Sequence, residues 1–162
     1  MMSPETTYDG RDSTLNNQSR DEMYSLLGRH VKSYEEHIYF VFRVLVGLLF
    51  MQHGAQKLFG LFGGVDGSGS AAPLLGMYGV AGVIELIGGL LLVIGVLTRL
   101  VALITAGQMI VAQFIAHLPD GIVPIQNGGE LGLLYIAAFL VLVLYGSGQY
   151  SLEHLFLDRE IV

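Results

Sequence analysis

Along residues 42–64, FRVLVGLLFMQHGAQKLFGLFGG, a strongly apolar stretch carries Arg43, His53, Gln56 and Lys57. A guanidinium, a carboxamide and an ammonium donate hydrogen bonds to carbonyl or carboxylate oxygens, and an imidazole can also exchange a proton near neutral pH. Further on, Glu85 stands alone in GVAGVIELIGGLLLVIG, Gln108 lies within the next apolar run, and Gln113 and His117 close it. Gln126, Asn127 and Glu130 precede the last run. Such a set suits hydrogen bonding and proton exchange with a polar ligand. With no Cys in 162 residues, there is no disulfide, thiol relay or thiolate metal site, and no metal centre is expected; redox work would need a bound cofactor or a partner.

These residues need elements to position them. The chain is 52% hydrophobic and 14% charged, with a mean hydropathy of +0.59, which points to a membrane protein. Apolar runs at about 38–59, 74–97, 99–118 and 130–147 each approach the roughly 20 residues a helix needs to cross about 30 Å of hydrocarbon. They lack strand alternation and are too long for barrel strands, so their backbones must bond internally as helices. The expected fold is all-α, a polytopic four-transmembrane-helix bundle over residues 37–155.

The connections differ. LFGGVDGSGSAAP is a glycine and serine loop in which Pro73 suits a helix start. The link at Thr98 and Arg99 is so short that the second and third helices must be antiparallel neighbours. The third loop, LPDGIVPIQNGG, is long enough to fold over helix ends. Residues 1–36 read as a polar cytosolic tail rather than a signal peptide, with an amphipathic interfacial helix expected over 21–36; residues 156–162 form a second short tail. Arg11, Arg20, Arg29, Lys32, Arg99 and Arg159 then fall on one side, placing both termini in the cytoplasm of a multi-pass inner (plasma) membrane protein, with Lys57 toward the outer face. The net charge of −6 resides largely in the two ends, and no basic tract marks a nucleic-acid partner.

On a helical wheel with Arg43 at zero, His53 falls near about −80° and Lys57 near about −40°. The three cations share a face that lipid would penalise and a bundle interior would not. A carboxylate at the depth of Glu85 has to pair, accept hydrogen bonds or stay protonated; Arg43 or His53, each about one and a half turns away in depth, is the expected partner. His53, Lys57 and His117, with Gln126, Asn127 and Glu130, form an expected polar mouth on the outer face. The plainer readings weigh against these: an Arg43–Glu85 pair that only fixes helix packing, a Lys57 that snorkels to the surface, lone histidines satisfied at an interface, and Tyr135, Tyr145 and Tyr150 as packing residues.

The order Arg43, Gly47, His53-Gly54, Gln56-Lys57-Leu58, Gly60, then Glu85, Gly88-Gly89-Leu90-Leu91-Leu92, Gly95 and Arg99, resembles the DoxX family of small membrane proteins. His117, Asn127-Gly128-Gly129-Glu130 and Gly146-x-Gly148-x2-Ser151-Leu152 extend the likeness to about residues 38–155, while Glu153 stands where relatives often carry aspartate. The resemblance implies a four-helix inner-membrane protein, often labelled an oxidoreductase and related to the membrane subunit of thiosulfate:quinone oxidoreductase. It also implies that Arg43, His53, Gln56, Lys57, Glu85 and His117 are the family's polar set.

The leading expectation is therefore a membrane subunit associated with a redox complex, at most one component of a quinone-linked oxidoreductase, with a quinone touching a pocket among helices one to three and no covalent cofactor. Its partners would be the bilayer and other membrane or redox subunits. The competing expectations are a non-catalytic accessory subunit, and a small-solute or proton path that would call for a homo-oligomer. A haem between His53 and His117 is weaker than these.

Overall fold

The computed structural model describes Gly28 and residues 31–157. The described residues divide between Glu35 and Glu36 into two units. Most of the interfacial helix expected over 21–36 lies outside the described residues, as does the end of the C-terminal tail. In the first unit, residues 31–33 are helical and Tyr34 N–H closes a turn on Val31 O at 3.0 Å.

The second unit holds all but the first residue of helix α1 (Glu35–Phe59), then α2 (Met77–Ile94), α3 (Thr98–Ala112), α4 (Glu130–Tyr145) and a short α5 (Leu152–Leu157). Among the described residues there is no strand. Helix α3 runs on through a π-helical turn, Gln113–His117, and a 3-10 turn, Leu118–Asp120. Thus α1, α2 and the extended Thr98–Asp120 helix are long and apolar enough to cross a membrane. Helix α4 is shorter than expected: its 16 residues reach about 24 Å at about 1.5 Å each, less than a hydrocarbon core of about 30 Å. It is nevertheless apolar, and it connects the loop beside His117 to the segment that binds Arg43.

Burial is inverted relative to a water-soluble domain. Arg43, Glu85, Thr98, Thr105 and Glu153 are buried, while large apolar residues on every long helix are exposed, including Leu45, Leu90, Ile104 and Leu134. Hydrocarbon solvates such a surface, and the interior compensates its own polar groups. The apolar core is formed by Val46 and Phe50 of α1, Leu92 of α2, Val101, Ala102 and Ala106 of α3, and Tyr135, Phe139 and Leu142 of α4. Phe50, Tyr135 and Phe139 stack and tilt against one another with centroids 4.8–5.7 Å apart.

Helices α1 and α2 meet backbone to backbone at two steps, seven residues apart on each helix. A Cβ at Gly47 would lie 2.8 Å from Gly89 O, and one at Gly54 would lie 2.8 Å from Gly82 O. Only glycine permits that approach, which is how small residues drive helix association where the solvent is as apolar as the side chains. The α2–α3 link reverses the chain within three residues: Gly95 has φ 71° and Leu97 φ 50°. A left-handed leucine costs on the order of 1–2 kcal/mol, so this turn needs outside support.

Candidate functional site

Two polar assemblies sit at opposite ends of the bundle. At one end, Arg43 donates from Nη1 to Ser147 O at 2.5 Å and from Nη2 to Tyr150 O at 2.6 Å, and stacks over the Phe40 ring. Glu153 Oε1 accepts from the N–H of left-handed Leu97 at 2.5 Å, and Tyr39 donates its hydroxyl to Gly146 O at 2.6 Å. Arg43 and Glu153 thereby tie the start of α1, the α2–α3 turn and the C-terminal segment into one node. This corrects the expectation that Arg43 joins the cluster around Glu85: its side chain reaches the segment after α4 instead. The wheel gave the right face but not the direction along the axis, and a long side chain near the end of a helix runs toward the nearest unpaired carbonyls.

At the other end, α1 places Lys57 on its last turn and α2 places Glu85 two turns inside its start. Lys57 Nζ lies 2.6 Å from Glu85 Oε2, and Gln108 Nε2 of α3 donates to Glu85 Oε1 at 2.9 Å. The partner of Glu85 is therefore Lys57, neither Arg43 nor His53, and Lys57 does not snorkel outward. Gly82 makes this reachable, because a Cβ there would sit 2.9 Å from Lys57 Cβ; the ammonium is carried along α2 down to the carboxylate. A pair buried this far from water persists only when both charges have partners, and here each has one or more.

The ion pair lies on the wall of a cavity of about 900 Å³. His53, Gln56, Lys57, Glu85, Gln108 and His117 all line it, as do Phe50, Tyr78 and Tyr135. The His53 ring stands edge-on to Tyr135 with centroids 5.8 Å apart. Gln108 Oε1 is buried with no hydrogen-bond partner, an acceptor that a ligand donor would satisfy. Loops cover this end: Gln56 Nε2 donates to Gly64 O at 2.9 Å, and Ala72 N–H donates to Lys57 O at 2.8 Å. In the same loop Asp66 Oδ1 accepts from the Ser68 N–H at 3.0 Å and hydroxyl at 2.7 Å. Those two bonds hold its carboxyl below the usual carboxylate range.

The remaining candidates serve the loop before α4. Gln113 Nε2 donates to Gly129 O at 2.5 Å, and His117 Nδ1 is 3.1 Å from Asn127 O. Asn127 in turn braces Gly129 N–H at 2.8 Å. Glu130 is exposed and borders a separate shallow groove with Val123, Pro124 and Leu133; it stands outside the cavity, as does Gln113. Both side chains lie near the mouth in sequence, but the chain turns them to the outside of it or to backbone.

Residues 38–118 match the DoxX family. The chain is 35% identical over 135 residues to an uncharacterized protein of Haemophilus influenzae, covering 80% of this chain and 98% of that one. This chain belongs to the DoxX family. Another relative is a Bacillus subtilis protein named "Putative oxidoreductase CatD", 32% identical over 111 residues, covering 68% of this chain and 81% of that one. No solved structure matches it.

For this DoxX protein the sequence missed two residues of consequence. Tyr135, read as a packing residue, lines the cavity floor beside His53 and is buried. Glu153, noticed only as a departure from the family's aspartate, supports the α2–α3 turn. No local pattern marks either one; the first depends on which face of α4 turns inward, and the second on a contact across 56 residues of chain.

Proposed function

We propose that this protein is a membrane subunit of a redox complex and that its cavity receives the head group of a quinone. The observation that carries the reading is the Lys57–Glu85–Gln108 chain on the wall of a largely apolar cavity of about 900 Å³. A quinone head presents two carbonyl oxygens and needs donors there, with a proton source when it is reduced. Lys57 has three donor hydrogens and spends one on Glu85; His53 supplies a further ring nitrogen, and the apolar lining suits a hydrocarbon tail. Full reduction takes two electrons and two protons. The electrons are assigned to a partner redox subunit, and the protons to the His53, Lys57 and Glu85 set. The name of the Bacillus subtilis relative agrees with an oxidoreductase role. The same reading puts the protein in an inner membrane with four crossings and both termini cytoplasmic, an orientation supported by Arg11, Arg20, Arg29, Lys32, Arg99 and Arg159 falling on one side.

The test is binding of a tailless quinone analogue to the purified protein, read by equilibrium titration and by a rise in melting temperature. Glu85→Gln and His53→Ala should each weaken binding by roughly tenfold, about the loss of one charge-assisted hydrogen bond. Protein that carries no quinone on purification, binds no analogue and shows no shift in melting temperature would sink the proposal.

The accessory-subunit reading relied on glycine-rich faces to meet a larger complex. Gly47, Gly54, Gly82 and Gly89 already hold α1 against α2, so those faces are used within the chain. That observation favours the ligand-binding reading.

A further inference from the structure

Loops cover the cavity at the Lys57 end of the bundle, but exposed residues line its side between α2 and α3. Near their connecting turn α2 and α3 are in close contact: a Cβ at Gly88 would lie 2.9 Å from Thr105 Cγ2 and 3.5 Å from Val101 Cγ1. Away from the turn the cavity lining passes to the first half of α2 and the second half of α3. Its outer lips are apolar and exposed, with Val80 at 50%, Ile104 at 51%, Val111 at 54% and Ile115 at 51%. Its floor is the reverse, with Glu85 at 3% and Tyr135 at 6%. The lining therefore grades from side chains that face lipid to a buried ion pair.

Gly107 occupies the α3 lip. It is exposed, it lines the cavity, and a Cβ built on it would meet nothing within 4 Å. This separates it from Gly47, Gly54, Gly82, Gly88 and Gly89, whose missing side chains are all explained by a neighbour in close contact. In a helix interior glycine costs about 1 kcal/mol relative to alanine, and at Gly107 no packing offsets that. What the missing side chain leaves is open width between α2 and α3.

We infer that the gap between the first half of α2 and the second half of α3 is a lateral portal through which a lipid-dissolved amphiphile passes its head from the bilayer to the Lys57–Glu85 pair, with Gly107 as the threshold. The class of ligand is one with a carbonyl-bearing head and a long alkyl or isoprenoid tail that remains between the helices. The inference rests on the proposed function for the identity of the head, and on the cavity alone for the route.

Because the protein has no Cys, Ala112→Cys places a single thiol on the cavity wall. The full chain in lipid nanodiscs is treated in parallel with a hexadecyl maleimide dissolved in the lipid and with a sulfonated maleimide dissolved in water. Adding Gly107→Leu should slow the first reaction by about tenfold, which corresponds to about 1.4 kcal/mol in activation free energy, and leave the second within about twofold. Gly107→Ala, which fills less of the gap, should slow the first by an intermediate factor; it serves as the reference should the leucine variant fold poorly. An unchanged rate with the lipid-dissolved reagent overturns the portal, and so does an equal slowing of both reagents, since that reports a collapsed cavity. The two proposals fail separately. If wild-type protein binds no quinone, the head-group assignment falls while the thiol rates still decide the route; if it binds a tailless quinone but Gly107→Leu has no effect on either rate, the route falls and the quinone stands.

Discussion

The two ends of the bundle handle buried charge differently. At the Arg43 end the guanidinium bonds backbone carbonyls and Glu153 a backbone N–H, which joins three chain segments; Arg43 Nε and Glu153 Oε2 are buried there without hydrogen-bond partners among the described residues, in packed protein away from the cavity in which a guest could reach them. At the Lys57 end the two charges are in direct contact on the wall of a cavity, with donor capacity left over on Lys57 and one nearby acceptor, Gln108 Oε1, unpartnered. Charge committed to backbone holds a fold together, whereas charge paired on an open wall can be shared with a guest.

Breaking each end should therefore give different readouts. Arg43→Ala should have the largest effect on stability, about 3–5 kcal/mol, because it removes two charge-assisted hydrogen bonds, to the carbonyls of Ser147 and Tyr150; unfolding in detergent by heat or by a denaturing detergent measures it. A loss below about 1 kcal/mol would mean that the node is ornamental. Gly54→Ala should follow at about 1–3 kcal/mol through overpacking against the α2 backbone, with ligand binding weakened only through the shift of Lys57. Glu85→Gln should cost less stability than Arg43→Ala, since an amide can still bond to Lys57 and Gln108, yet should weaken quinone binding by roughly tenfold; the reverse ranking would make the Lys57–Glu85 pair the structural one.

Two smaller effects sharpen the contrast. Thr98 is fully buried and its hydroxyl makes no hydrogen bond, so the isosteric Thr98→Val should change stability by about 0.5 kcal/mol or less, in either direction. Asp66, in the loop between α1 and α2, should titrate below the ordinary carboxylate range by NMR, and Ser68→Ala should return it toward that range. Its contribution is present at neutral pH and is lost as the pH falls through the lowered folded value. Full exposure keeps the effect on overall stability small.

The sequence spoke clearly on some of this and poorly on the rest. The all-α class, the tight α2–α3 reversal and the inward face of α1 follow from hydropathy, a short link and helical periodicity, all of them local. Membership of the polar cluster was legible for His53, Gln56, Lys57, Glu85, Gln108 and His117, because polar groups at that depth have few places to go. Pairing was not legible. Whether Glu85 meets Arg43, His53 or Lys57 depends on side-chain direction along the axis and on Gly82 letting α1 come close. The length of α4 was overestimated because Gly146 and Ser147 continue an apolar run by composition, while in the fold they leave the helix and turn toward Tyr39 and Arg43.

The paired glycine steps between α1 and α2 also limit how the molecule can breathe. Two helices keyed together at both steps can neither slide nor roll, so they act as a single stiff plate with His53, Lys57 and Glu85 mounted on it. Any swelling of the chamber to admit a bulkier guest has to come from the opposite wall, where the third helix already abandons regular winding at Gln113–His117.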